Sequence, residues 1–94
     1  MERGSGSTTN QIKNAPIGAV FVWVNGDLTY PRRLAESLGR ADIRMFSPRT
    51  VGNGALRGLR VPAVIVDHAA DLTERQWSEV KAAQYVTTIQ QPNT

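Results

Sequence analysis

Pro62-Ala63-Val64-Ile65-Val66-Asp67-His68 is the stretch of this 94-residue chain best equipped to do chemistry. An apolar, β-branched run of this length suits a strand covered on both faces, which puts Asp67 at its carboxyl end, where open α/β sheets keep their ligand sites. A carboxylate in that position is placed to hold magnesium. The same residues also suit an ordinary buried strand, with Asp67 or Asp71 capping the helix that follows. His68 could orient a water, or serve a structural or merely exposed role. It is the sole histidine and cysteine is absent, which excludes disulfides, thiol catalysis and a multi-histidine metal centre.

A second constellation lies near the amino terminus. Gly4-Ser5-Gly6-Ser7-Thr8-Thr9 stands before a candidate short helix over Thr8 to Asn14. A glycine-rich loop feeding a helix amino terminus offers backbone N–H groups and the positive end of a dipole to a phosphate. The full phosphate-loop motif reads GxxxxGK followed by Ser or Thr. Registered on Gly6 and Thr8, this chain has Ser7 in place of the Lys and Met1 in place of the first Gly. Gly4, Gly6, Ser7 and Thr8 are therefore candidate phosphate contacts, and a Gly/Ser linker would read the same way.

The elements that must position these residues alternate. Ile17 to Val24 reads as a strand broken by Asn25-Gly26-Asp27, and Pro31 fits the first turn of a helix running to Leu38, ended by Gly39. A second strand follows over Ile43 to Phe46, then a turn-rich passage from Ser47 to Asn53 and a short helix over Ala55 to Leu59. The third strand is Ala63 to Val66. Asp71-Leu72-Thr73-Glu74 opens a helix running to Tyr85, with Trp77, Val80 and Ala83 or Gln84 on its inner face, and Val86 to Ile89 reads as a final strand. Trp23 and Trp77 are expected to anchor the core. The pattern predicts an α/β, three-layer sandwich with a small, mostly parallel sheet. It divides into a flexible Gly/Ser-rich segment over 1–16, a single domain over 17–90 and a tail over 91–94.

Composition limits the function classes. Forty per cent hydrophobic and 20% charged residues are typical of a globular domain. No apolar stretch approaches the about 20 residues of a membrane span, and the first fifteen residues carry no signal-peptide core, so the expected compartment is a cytoplasm. Nine of the eleven basic residues are Arg, whose planar fork suits phosphates and carboxylates, but they are scattered and the net charge is only +3. Arg32 and Arg33 sit in a first helical turn, against the macrodipole, which suggests a ligand or partner there.

Taken together, Gly4 to Thr9, Ala15 to Val24, Leu56-Arg57-Gly58-Leu59-Arg60-Val61 and Val64 to Ala69 resemble the core of P-loop NTPases of the helicase and terminase type. More narrowly they resemble small bacteriophage proteins that keep part of that core. The resemblance spans roughly Gly4 to Gln84 and its motifs are degenerate. It implies that Val64 to Asp67 is a Walker B-like strand, with Asp67 the magnesium-holding acid and His68 where the catalytic Glu usually stands. It implies Mg with ATP or GTP as cofactors. With the Lys and Glu replaced, efficient hydrolysis is not expected. The function this implies is that of a phage accessory protein, in the host cell cytoplasm, engaging a host or phage macromolecule through protein–protein interaction. The alternatives are an Mg-dependent nucleotide-binding protein, or weak NTPase, completed by Arg residues of a second subunit or partner, with Arg57 or Arg60 as the candidates, and a nucleic-acid-binding protein. Arg32, Arg33, Arg57, Arg60 and His68 are the candidate partner or phosphate contacts. An uncovered sheet edge would favour a homo-oligomer.

Overall fold

The computed structural model describes residues 7–90. Seven elements follow one another: α1 (Ser7–Asn14), β1 (Val20–Val22), α2 (Thr29–Ser37), β2 (Arg44–Phe46), α3 (Pro48–Gly52), β3 (Val64–Val66) and α4 (Glu74–Gln90). The three strands form one parallel sheet in the order β2-β1-β3, with Val20 opposite both Arg44 and Val64. The α/β reading holds in that form.

Alternation along the strands explains the layers. Phe21, Met45 and Ile65 point to one face, where they pack with Ile12 and Ala15 from the α1 region and Leu34, Ala35 and Leu38 from the α2 region. Val20, Val22, Val64 and Val66 point to the other, against Val51 of α3, Leu56, Leu72, and Val80 and Ala83 of α4. Helices thus cover both faces, which is why β1 and β3 read as continuous apolar sequence, while β2 opens on the exposed Arg44.

Local signals set the boundaries. Asn25 and Asp27 form consecutive side-chain turns, with Asp27 Oδ1 accepting from Thr29 N at 3.1 Å to open α2. At the far end Gly39 takes φ +73°, Gly39 N donates to Glu36 O and Arg40 N to Ala35 O, the paired bonds of a Schellman stop. Ser47 caps α3 by accepting from Thr50 N, with Pro48 in the first turn. Thr73 and Gln76 cap α4 reciprocally: Gln76 N donates to Thr73 Oγ1 and Thr73 N to Gln76 Oε1.

Several expectations need correction. β1 spans three residues rather than the whole of Ile17 to Val24, and Ile17 is 83% exposed. The helix between β2 and β3 is Pro48–Gly52, in the stretch read as turns, whereas Ala55 to Gly58 is turn and Leu59 irregular. The expected strand Val86 to Ile89 is helical, because α4 continues to Gln90. Trp77 is 38% exposed and does not anchor the core, while Val80 on the same helix is fully buried. Within the segment 1–16, the short helix expected over Thr8 to Asn14 is present as α1, and its fully buried Ile12 packs with the rest of the domain.

Candidate functional site at the carboxyl ends of the first and third strands

From β1 the chain passes to β2 on one side of the sheet and then crosses to β3 on the other, so connections diverge at the carboxyl ends of β1 and β3. That divergence is where open α/β sheets form a crevice. A cleft of about 550 Å³ lies there, lined by Thr8, Trp23, Val24, Tyr30, Asp67, His68 and Ala69.

Asp67 is 2% exposed and Thr8 7%. Thr8 Oγ1, in the first turn of α1, donates to Asp67 Oδ1 at 2.8 Å across 59 residues of sequence. Ala69 N donates to Asp67 Oδ2 at 3.0 Å, while Asp67 N extends the ladder to Val22 O. Asp67 does make a local turn bond of the kind expected of a cap. Its contact with Thr8, however, joins two segments that the sequence could only nominate separately.

Gln11, one helical turn after Thr8, holds the two segments in register. Its Nε2 donates to Val66 O at 2.9 Å and its Oε1 accepts from His68 N at 2.9 Å. A carbonyl and the N–H two residues on are the pair a neighbouring parallel strand would engage, so this side-chain amide stands in for a peptide group at the edge of β3. Gln11 carries no motif of its own in the sequence. Its i+3 spacing from Thr8 was the available signal.

A magnesium ion fits this donor set in part. Asp67 supplies one carboxylate and Thr8 a hydroxyl, and among the described residues no group of three or more His, Cys, Asp or Glu could complete a protein cage. Magnesium is commonly held by one or two carboxylates with phosphate oxygens and water making up the octahedron, so such an ion would need a phosphate ligand. His68 is exposed at the mouth of the cleft. Ser7 is the first residue of α1, and Gly4 and Gly6 lie outside the described residues.

The candidate Arg residues are not brought to this cleft. Arg57 makes a two-pronged contact to Glu79 of α4 at 3.1 and 2.5 Å, and with Arg60 lines a separate hollow beside Leu56 and Ala83. Arg32 lines another hollow beyond β2, beside Glu36 and Arg44. Arg33 is exposed. Instead, among the described residues the Arg with the most hydrogen bonds is Arg40, whose own neighbourhood in the sequence carries no signal of it. Its guanidinium donates to the carbonyls of Ile12, Lys13, Ala15 and Pro16 and to both carboxylate oxygens of Asp42. It closes the carboxyl end of α1, where unpaired carbonyls collect. That bonding, with Gly18 N donating to the same acid, pulls the Asp42 carboxyl down from 3.8 to about 2.

Comparison with family models, curated proteins and solved structures gives no match. The site therefore stands on its own geometry.

Proposed function

We propose that this chain is a small accessory protein with a reduced P-loop-like core, which binds a nucleoside phosphate with magnesium and does not turn it over efficiently. The observation that carries the reading is the Thr8–Asp67 bond: a hydroxyl from the helix after the Gly/Ser-rich segment meets the acid that ends β3. In this reading Thr8 and Asp67 hold the ion, and Ser7 and the first N–H groups of α1 face the phosphate. Ser7 lacks the Lys charge that reaches the outer phosphates, and His68 stands in place of a carboxylate base, so two contributions to phosphoryl transfer are missing.

The test is thermal denaturation with millimolar Mg-ATP or Mg-GTP. Ligand at a hundred times its dissociation constant adds about 2.7 kcal/mol, a shift of many degrees for a domain of this size. Asp67→Asn should abolish the shift while keeping an acceptor for Thr8. No shift with either nucleotide overturns the reading, and steady hydrolysis above a buffer control overturns its second half.

Trp77 favours a second reading, in which the protein also engages a macromolecular partner. It is 38% exposed on α4, beside Glu74, Ser78 and Lys81, and belongs to neither apolar core cluster. Exposed tryptophan is a common interface anchor.

A further inference from the structure

The geometry points to a nucleobase seat on Tyr30, in the same cleft as the Thr8–Asp67 pair. This inference rests on the nucleotide-binding reading and names how the other end of such a ligand is held. One wall of the cleft comes from α1 and β3 and carries Thr8, Asp67 and His68, while the other comes from the end of β1 and the start of α2 and carries Trp23, Val24 and Tyr30. The first wall, which also includes Ala69, holds the cleft's polar side chains Thr8, Asp67 and His68 beside the tyrosine hydroxyl of the second, otherwise aromatic and aliphatic, wall. At about 550 Å³ the cleft lies in the range that accommodates a small organic ligand.

The aromatic wall has a firm base and an open face. Trp23 is partly buried against the core that includes Phe21 and Met45, and its N–H on the backbone continues the sheet to Phe46 O at 2.9 Å. Tyr30 lies against it with ring centroids 5.7 Å apart and planes 36° apart, yet remains 59% exposed. Folding alone does not call for a large exposed ring in the first turn of α2. A ring held by a packed tryptophan and bordering a cleft offers a flat ligand its free face at little ordering cost, because only two side-chain torsions are fixed. Stacking of a base on such a ring tolerates any base identity. The ligand that satisfies both walls has a planar heteroaromatic ring at one end and an anionic, metal-binding group at the other, which describes a mononucleotide.

The experiment measures binding by calorimetry and by Trp23 fluorescence, with Trp77→Phe as background so that Trp23 is the single reporter. The probes are Mg-ATP, adenosine, Mg-tripolyphosphate and a short oligo(dA). We expect Mg-ATP and adenosine to bind, and Tyr30→Ala and Tyr30→Leu to weaken both by about tenfold or more. Tyr30→Phe should retain their affinity, and tripolyphosphate should bind all variants alike. Because Tyr30 is exposed, the denaturation midpoints of these variants should stay near the parent's. Mg-ATP affinity unmoved by loss of the ring, with tripolyphosphate still bound, overturns the seat and leaves the phosphate reading intact. Tyr30-dependent adenosine binding without tripolyphosphate binding supports the seat and overturns the phosphate reading. Oligo(dA) bound in the absence of any mononucleotide binding overturns the seat as proposed, and no binding of any probe overturns both.

Discussion

Thr8 and Asp67 are both buried, so the hydroxyl between them has structural consequences whatever the cleft binds. Thr8→Val keeps the shape and removes the donor, leaving a buried carboxylate oxygen without that partner. The expected cost is about 1–3 kcal/mol, read as a lower denaturant midpoint with an unchanged slope. A cost near zero would mean that water replaces the hydroxyl. The pair was half legible in the sequence: each residue could be nominated from its own neighbourhood, but a contact across 59 residues has no local signature. Arg40 was not legible at all, because its role is to collect carbonyls from the end of α1 and nothing in its own surroundings announces them. Its partner Asp42 supplies a pH prediction. A carboxyl drawn down from 3.8 to about 2 binds its proton less readily folded than unfolded. Its contribution is therefore present above about pH 4 and is lost as the pH falls toward 2. Asp42→Asn should flatten the acid limb of the stability profile in that window, and an unchanged limb in the variant would show that other carboxylates set it.

At the scale of elements, what could be read was where hydrophobic periodicity coincides with a cap. Thr73 with Gln76, and Gly39 after Leu38, are such coincidences, and both helix boundaries fell close to expectation. The Ser47-Pro48 start of α3 carried an equally good cap, but the five-residue helix is too short to show a period and its Gly and Pro content reads as turns. The end of α4 failed differently. Val86, Thr87, Thr88 and Ile89 have strand propensity, yet the helix continues through them, a case of context overriding a weak local preference. Trp77 was misplaced because its spacing to Val80 is helical, while the inner face of α4 is centred on Val80 and Ala83. Trp77→Ala should consequently cost well under the about 3–5 kcal/mol of a buried aromatic, whereas Val80→Ala should cost about 2 kcal/mol through lost burial and a cavity. Urea midpoints in the reverse order would put Trp77 back in the core.

For the whole molecule, the open question posed by a three-stranded sheet is its edges. In β3, Ala63 O accepts from Val20 N and Asp67 N donates to Val22 O, so the odd-numbered residues bond to β1 and the carbonyls of Val64 and Val66 face outward. Gln84 Nε2 donates to Val64 O at 3.0 Å and Gln11 Nε2 to Val66 O at 2.9 Å. One amide comes from α4 and the other from α1, so the helices of opposite layers reach around the same edge and occupy its acceptors. An edge whose acceptors are taken is a poor template for another chain, which removes one physical reason for the self-association expected from the sequence. Replacing both glutamines by alanine returns those carbonyls to solvent while leaving the two apolar clusters in place. We expect Gln11→Ala with Gln84→Ala to associate as its concentration rises, observed as growing mass in light scattering, under conditions where the parent's mass stays constant. Restoring Gln11 alone should recover part of the effect, because it also engages His68 N and pins α1. If the double variant kept the parent's mass across the same range, side-chain capping would not be what protects this edge, and the twist or shortness of β3 would have to suffice.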